Sequence, residues 1–274
     1  MKGILYIVST PIGNLEDITL RALRVLKEVD VIAAEDTRHS LKLLNHYGIS
    51  KPLISYWGEK EKVKAEETIR ILHSGQTVAL ISDAGTPGIS DPGNVLIRRA
   101  IEEGISVVPI PGPAAVIAAL SISGFSTDSF VFRGFLPVKE FQRVKELKNL
   151  SLDSRTIVLY EAPHRLLETL DDIGETFQDR NAVVIKEITK FYEEVFRGTA
   201  FSIRERLETA KIAGEYVIVL EGRPEEKMHS TGDALMEIRN LMKKGLGRKE
   251  AVKRIAEEYG ISKKELYDRS LSGE

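Results

Sequence analysis

The chain has 274 residues, 42% of them hydrophobic, a formal net charge of -2 and no cysteine. This length allows about two domains with a substantial core, and the near-neutral charge provides no overall basic field, so a polyanionic partner must be met by a local patch. The absence of cysteine excludes disulfides, thiolate metal sites and a cysteine nucleophile. No apolar run approaches the ~20 residues of a membrane span. Because the sequence shows no signal-peptide pattern, we expect a cytoplasmic protein.

The N-terminal segment predicts a strand, a turn and a helix. Residues 3–8 are a short apolar run, and residues 9–14 form a turn that contains glycine and proline. The segment has neither the Gly-x-Gly-x-x-Gly of a nicotinamide dinucleotide site nor the Gly-Lys-Ser/Thr of a phosphate-binding loop, which argues against both. The helix is predicted by the spacing of Leu15, Ile18, Ala22, Leu26 and Val29.

Four consecutive polar residues follow the next predicted strand, 31–34. They are Glu35, Asp36, Thr37 and Arg38. Thr37 is expected to cap a helix over 38–47. Two interpretations stay open: the cluster caps the helix with Arg38 paired locally, or its two adjacent carboxylates take part in chemistry, because ligands bind at the carboxyl ends of strands in α/β sheets.

The loop over 82–93 is the most informative stretch of the chain. It follows an apolar strand at 77–81 and contains three glycines, three small hydroxyl residues and Pro87. Few side chains separate a ligand from the main chain of such a loop, and about eleven residues is long for an ordinary strand-to-helix connection. Asp91 is expected to cap the helix that follows, with Pro92 at its first position.

A third small-residue turn, 111–115, follows a predicted strand at 106–110. With the turns at 9–14 and 82–93, three such turns each come directly after a strand. Parallel β-α units gather turns of this kind at one edge of a sheet. The remaining elements of this half are a strand at 52–56 and helices at 59–74 and 93–103.

The second half alternates strands and helices again after a serine- and glycine-rich break at 121–128. Its helix after residue 199 is expected to be capped by Thr199. The sequence therefore predicts an α/β protein with two domains, 1–120 and 121–224. Strands are predicted at 130–135, 155–160, 181–188, 195–198 and 215–221, and helices at 139–149, 166–177 and 200–211.

A third segment, the helical tail 231–274, follows a second linker at 222–230. Its three short helices are predicted at 233–244, 248–259 and 263–270, with a spacing that resembles a helix-turn-helix. The tail has ten Lys or Arg against eight Asp or Glu. This slight basic excess is compatible with packing or dimerisation as well as with nucleic-acid recognition.

Six motifs, taken in order over residues 1–222, resemble one family: the ribosomal RNA small-subunit methyltransferase I group of the tetrapyrrole methylase superfamily. Each motif is weak alone, and the ordered set is specific. Superfamily members that act on tetrapyrroles carry Gly-x-Gly-Pro-Gly-Asp in the first loop, which this chain lacks. Ala162 is a departure, because many members have serine there. The motifs are Thr10-Pro-Ile-Gly-Asn14, Glu35-Asp-Thr-Arg38, the loop 82–93, Pro111-Gly-Pro113, Glu161-Ala-Pro-His-Arg165 and Lys186-Glu-Ile-Thr-Lys190.

The resemblance implies a class III methyltransferase-like fold, with two α/β domains, a cleft between them, and the helical tail as an appendage. It implies a homodimer that binds S-adenosylmethionine and methylates the 2′-hydroxyl of a cytidine in the decoding region of 16S rRNA, in the 30S subunit. No metal is needed for this reaction, and no ligand cluster in the sequence indicates one. Relatives of the same fold methylate corrin or siroheme precursors or diphthine intermediates.

The resemblance also implies where the cofactor binds. Carried over by motif position, turns of both halves are expected to surround it and to supply mostly main-chain contacts. The residues concerned are Pro11, Ser82, Asp83, Ala84, Gly85, Thr86, Pro87, Ala114, Ala115, Glu161, Ala162, Gly214 and Glu215.

Methyl transfer from a sulfonium depends mainly on positioning the acceptor oxygen in line with the methyl carbon. A ribose hydroxyl is a very weak acid, so a base, or groups that stabilise the developing alkoxide, assist the reaction. Tyr56 and Trp57 are either a stacking platform for an unstacked base or a partly buried aromatic pair. Candidates for the base are Glu35, Asp36, His164 and Lys186, and candidates for clamping phosphates are Arg38, Arg165 and Lys190.

Two other functions are compatible with the sequence. A methyltransferase for a tetrapyrrole precursor would have a closed, apolar acceptor pocket and would act without RNA. A non-catalytic RNA-binding scaffold would use the tail for recognition, would bind RNA regardless of cofactor and would transfer no methyl group.

We expect Asp36→Ala and Arg38→Ala to retain the fold and cofactor binding and to lose most RNA methylation, because both residues are assigned to the acceptor side of the reaction. Circular dichroism and calorimetry check the first two properties, and incorporation of a labelled methyl group checks the third. Turnover at the wild-type rate in both variants would remove these residues from the mechanism.

Overall fold

The computed structural model describes residues 2–56, 61–224 and 231–272. Trp57 and most of the predicted linker at 222–230 lie outside these ranges. The chain divides into two compact units, Met1–Arg223 and Pro224–Glu274. Within the described ranges, no helix combines the length and the apolar character that crossing a bilayer requires.

The first half of the larger unit is a five-stranded sheet in which each pairing is parallel. Its strands are β1 (Ile4–Val8), β2 (Val31–Ala34), β3 (Leu53–Ser55), β4 (Val78–Ile81) and β5 (Ser106–Ile110). They lie in the order β3-β2-β4-β1-β5. Every residue of β2 and β4 is buried, as expected for strands covered on both faces. The turns after β1, β4 and β5 therefore meet at one edge, as the sequence predicts.

Four helices accompany this sheet: α1 (Leu20–Glu28), α2 (Thr37–His46), α3 (Glu61–His73) and α4 (Asn94–Glu102). Two predicted caps are wrong. The side chain of Asp36, not Thr37, accepts the backbone N–H of Arg38 at the start of α2. Gly93, not Asp91, precedes α4, and it makes no side-chain cap. Asp91 therefore does not cap α4.

The second half is a mixed five-stranded sheet. Its strands are β6 (Phe130–Phe135), β7 (Thr156–Glu161), β8 (Asn181–Lys186), β9 (Glu194–Thr199) and β10 (Tyr216–Leu220), and its flanking helices are α6 (Glu140–Leu150), α7 (Leu166–Phe177) and α8 (Ala200–Glu208). The strand order is β6-β7-β10-β8-β9, and only the β6–β7 pair is parallel. Thr199 caps α8 through the N–H of Ser202, as predicted.

The helix that joins the two halves, α5 (Ala115–Ser123), packs against the second sheet. The domain boundary predicted from the sequence, after residue 120, places most of this helix in the first domain. Its buried residues Val116, Ala119 and Leu120 share a core with Val158 and Val219. The boundary between the two packing layers therefore falls in the turn before α5, and that turn lines the crevice between the sheets.

The C-terminal unit is a small three-helix cluster. Its helices are α9 (Thr231–Lys243), α10 (Arg248–Tyr259) and α11 (Lys263–Ser272), close to the predicted bounds. They enclose a core of their own, in which Leu235, Ile255 and Leu266 are buried. Gly260 ends α10 in the left-handed conformation, with φ of 64°, which glycine adopts without steric cost.

We expect Leu26→Ala to lower the free energy of unfolding by about 2–5 kcal/mol, because Leu26 is fully buried and its removal leaves a cavity. Leu20→Ala on the same helix is the control. Leu20 is 87% exposed, and its replacement should change the free energy by less than about 0.5 kcal/mol. Urea denaturation followed by circular dichroism measures both, and equal effects would contradict the assigned orientation of α1.

Candidate active site

Backbone pairing joins the turns that follow β1 and β4. The N–H of Thr10 donates to the carbonyl of Gly85 (2.8 Å), and the N–H of Gly85 donates to the carbonyl of Thr10 (3.1 Å). Side chains add a hydrogen bond of 2.8 Å between the hydroxyls of Ser9 and Thr86. The two turns thus form one continuous surface at the edge of the sheet.

The turn after β5 approaches the same surface through Gly112. A Cβ on Gly112 would lie 2.8 Å from the Cβ of Ser9, which is closer than two carbon atoms tolerate. Glycine at this position therefore allows the first and third turns to touch. The convergence of the three turns that the sequence predicts is realised by direct packing.

A cavity of about 470 Å³, the main cavity, lies between these turns and the second sheet. Apolar side chains from both halves line it, among them Ile12, Ile117 and Val217. Nine of the sequence-predicted cofactor residues are in its wall: Ala84, Gly85, Thr86, Ala114, Ala115, Glu161, Ala162, Gly214 and Glu215.

The other predicted cofactor residues lie elsewhere. Pro11, Ser82 and Asp83 line a separate pocket of about 280 Å³, the small pocket, together with Gly13, Leu15, His39, Ser40, Lys42 and Leu43. Pro87 is buried and lines neither pocket. The predicted set is thus divided between two neighbouring sites, because successive residues of the same turns face different sides.

Asp91 is a functional candidate that the sequence reasoning missed, because its position before a predicted helix was interpreted as a cap. Asp91 is one of the residues that line the main cavity. Burial, followed by repulsion from the nearby carboxylates of Glu35, Asp83 and Glu215, raises the pKa of Asp91 to about 6. A carboxyl group with such a pKa changes its charge near neutral pH, which is common at functional sites.

Glu35 lies deeper than its neighbour Asp36. Its Oε2 accepts the backbone N–H of Asp83 (3.3 Å), and the backbone N–H of Asp36 donates to Asp83 Oδ1 (3.1 Å). Burial is the main cause that raises the pKa of Glu35. The end of β2 is therefore fastened to the turn after β4 by reciprocal hydrogen bonds.

Asp36 and Arg38 form a local pair at the surface. Arg38 Nη2 lies 3.1 Å from Asp36 Oδ2, and hydrogen bonds from Arg38 lower the pKa of Asp36 to about 2. The structure thus shows the capping cluster that the sequence left as one of two interpretations. Asn caps helices as well as Asp does, so Asp36→Asn removes the charge while preserving the cap.

Arg165 does not face a substrate, which corrects its assignment as a phosphate clamp. It is only 8% exposed, and its Nε and Nη2 donate to Oε1 of the buried Glu161 at 2.9 and 2.5 Å. The hydroxyl of Thr169 donates to the other carboxylate oxygen of Glu161 at 2.7 Å. This internal network holds the buried side chain of Glu161 between Arg165 and Thr169.

The remaining predicted catalytic residues lie around the crevice. His164 is exposed in the short 3₁₀ turn Pro163–Arg165 and is not part of either pocket wall. Lys186 Nζ is 2.9 Å from Glu194 Oε2, and this hydrogen bond raises the pKa of Lys186. Lys186 therefore stays protonated at neutral pH and is unsuited to act as a base.

Lys190 links the loop after β8 to the cavity wall. Its Nζ lies 2.8 Å from Glu187 Oε1 and 2.9 Å from Glu215 Oε2. Gly214 has φ of +87°, and a Cβ there would lie 2.4 Å from the carboxyl group of Glu187. Glycine is thus required for the close approach that brings Gly214 and Glu215 to the cavity.

Tyr56 does not offer a stacking surface, since it is 1% exposed. Its hydroxyl accepts the N–H of Leu96 (3.0 Å) and donates to Glu61 (3.3 Å). The stacking proposal for Trp57 concerns a residue outside the described ranges.

Solved structures share this fold. Diphthine synthase superimposes with a TM-score of 0.61 at 15% identity, over 80% of this chain and 90% of that chain. Uroporphyrin-III C-methyltransferase from Thermus thermophilus, complexed with S-adenyl homocysteine, superimposes with a TM-score of 0.57 at 18% identity, over 80% and 97%. The two α/β layers are thus the fold of this structural class of methyltransferases.

Comparison of the amino-acid sequence with known proteins identifies the family more narrowly than the fold does. The family described as Tetrapyrrole (Corrin/Porphyrin) Methylases matches residues 4–204. The protein named Ribosomal RNA small subunit methyltransferase I of Synechocystis sp. is 48% identical over 98% of both chains, and its namesake in Halalkalibacterium halodurans is 44% identical over 97% of this chain and 94% of its own. The chain therefore belongs to the tetrapyrrole methylase family, in the group of ribosomal RNA small subunit methyltransferase I.

We expect Asp91→Asn to stabilise the protein at pH 7 relative to the wild type, with the difference vanishing near pH 4. The pKa of Asp91 is about 6 in the folded chain against an ordinary value of 3.8. Between these values the folded state binds more protons than the unfolded state, so this carboxyl group makes stability fall as pH rises. Melting temperatures from pH 4 to 7 measure the effect, with the exposed Asp128→Asn as control. A constant difference across this range would contradict it.

Proposed function

We propose that this protein transfers a methyl group from S-adenosylmethionine to ribosomal RNA of the small ribosomal subunit. The observation that carries this proposal is the main cavity, which is enclosed by the small-residue turns of both halves. The chain that forms this cavity is 48% identical to a protein named for this activity. The related T. thermophilus enzyme, complexed with S-adenyl homocysteine, supports the choice of methyl donor.

The residues of the main cavity fit this cofactor. Its volume of about 470 Å³ is in the usual range for small-molecule sites. Ile12, Ile117 and Val217 provide apolar surface for a purine ring. Asp91 and Glu215 provide negative charge for a sulfonium and an ammonium group, and their mutual repulsion is relieved when a cation binds.

When bound, the cofactor supplies an electrophilic methyl carbon. The chain must then hold an acceptor hydroxyl in line with it and receive or stabilise the hydroxyl proton. Among the predicted bases, Glu35 suits this role best, because it is half-buried and its pKa is raised. The pKa of Asp36, about 2, makes it a weak base, and Lys186 is protonated. Asp91 is the second candidate.

Finer features of the function follow from the resemblance and stay predictions. They are the 2′-hydroxyl of a cytidine as the acceptor, the homodimer and the cytoplasmic location. The exposed pair Asp36–Arg38 lies on the same turn as Glu35, which supports a role on the acceptor side. Arg165 has no such support, since it is buried against Glu161.

The test of the function uses labelled S-adenosylmethionine, the purified protein and 30S subunits from a strain that lacks this methylation. Label in 16S rRNA is the expected result. Label only in an added porphyrinoid would support a tetrapyrrole methyltransferase instead, and RNA binding without any transfer would support a non-catalytic scaffold.

A matched pair of variants tests the position of the cofactor. We expect Ala84→Trp to abolish cofactor binding, because Ala84 lines the main cavity and is exposed enough to accept a larger side chain. Ala210→Trp, at an exposed position two residues beyond the end of α8, is the control of equal volume. Isothermal calorimetry with S-adenosylmethionine measures both. Unchanged affinity in a folded Ala84→Trp protein would place the cofactor elsewhere.

A further inference from the structure

The small pocket adjoins the main cavity through shared turns. In the first turn, Pro11 and Gly13 line the small pocket while Ile12 lines the main cavity. In the turn after β4, Ser82 and Asp83 face the small pocket, and the next three residues face the main cavity. A ligand in the small pocket is therefore separated from the methyl donor by the thickness of two hydrogen-bonded turns.

Ser40 is a buried polar group without a partner in the wall of the small pocket. It is 2% exposed, and within the described residues no atom forms a hydrogen bond with its Oγ. The carbonyl of Asp36, one turn earlier, accepts the backbone N–H of Ser40 (2.9 Å). An unsatisfied buried hydroxyl is costly, so its presence beside a pocket indicates a polar ligand.

The charged residues near Ser40 indicate what kind of ligand the small pocket binds. Helix α2 carries Arg38, His39, Lys42 and His46 and no acidic residue. Lys42 is exposed on the small pocket and has no ion-pair partner in the described part of the chain. Asp83, a carboxylate residue from the turn after β4, also lines the small pocket. A cation and a hydrogen-bond acceptor in the same pocket suit a ligand that has both phosphate and hydroxyl groups.

We propose that the small pocket binds the ribose and phosphate of an RNA nucleotide next to the acceptor nucleotide, with the phosphate at Lys42 and His39 and sugar hydroxyls at Ser40 and Asp83. The proposal rests on the proposed function and adds a subsite to it. Such a site explains how a protein of net charge -2 holds RNA, because α2 supplies a local basic surface beside the reacting groups.

The first test is Lys42→Gln, with Lys145→Gln on the exposed face of α6 as the control for the same loss of charge. Binding of unmethylated 30S subunits is measured without methyl donor, by filter retention over a range of salt concentrations. We expect Lys42→Gln to weaken binding about tenfold and to reduce the slope of log K against log salt by about 0.7. Cofactor affinity should stay within twofold of wild type.

The second test is Ser40→Ala. Because the hydroxyl has no partner in the protein, its removal should leave the melting temperature unchanged or raised, while the KM for 30S subunits rises about threefold to tenfold. A lower melting temperature with an unchanged KM would show that Ser40 has a structural role only and would overturn its part in the site.

Three outcomes separate this proposal from the function on which it rests. Wild-type binding and salt slope in Lys42→Gln would overturn the subsite and leave the methyltransferase activity standing. Loss of cofactor affinity in Lys42→Gln would assign the small pocket to the methyl donor, and this result would also overturn the proposed RNA subsite. Absence of methyl transfer by the wild-type protein, with binding intact, would overturn the proposed function instead.

Discussion

Two backbone hydrogen bonds between Thr10 and Gly85 hold the turns after β1 and β4 against each other at the edge of the first sheet. Once these turns are paired, they form one layer with two sides: Ile12 and residues 84–86 face one side, and Pro11, Gly13, Ser82 and Asp83 face the other. One side becomes a wall of the main cavity and the other a wall of the small pocket. The juxtaposition of two sites follows from this single pairing.

Asp91 and Glu215 line the main cavity, whereas His39 and Lys42 line the small pocket together with Asp83. Burial, together with the nearby carboxylates of Glu35, Asp83 and Glu215, raises the pKa of Asp91 to about 6. The cationic residues of α2 lie beyond the end of β2. In the proposed arrangement, the cationic methyl donor meets Asp91 and Glu215 and the anionic RNA strand meets Lys42, which favours one orientation of the two substrates.

The second half contributes stability and shape to the crevice more than reactive groups. The buried network of Glu161, Arg165 and Thr169 fixes the end of β7. Removing one member of such a network leaves a buried charge without its partner, which is strongly destabilising. Lys190 holds Glu187 and Glu215 together at the other end of the crevice. Glu161, Arg165, Glu187 and Lys190 belong to motifs that mark the family, and in the structure their side chains form ion pairs.

The sequence by itself determined the alternation of strands and helices, the three small-residue turns after β1, β4 and β5, and the helical tail, because these depend on local periodicity and on turn residues. The ordered motifs determined the family. Tertiary structure alone decided that α5 packs on the second sheet, since an apolar helix does not specify which sheet covers it. It also decided that Asp91 lines the main cavity, that Arg165 is buried, and that neighbouring residues of one turn serve two pockets, because burial and direction depend on contacts with residues far away in the chain.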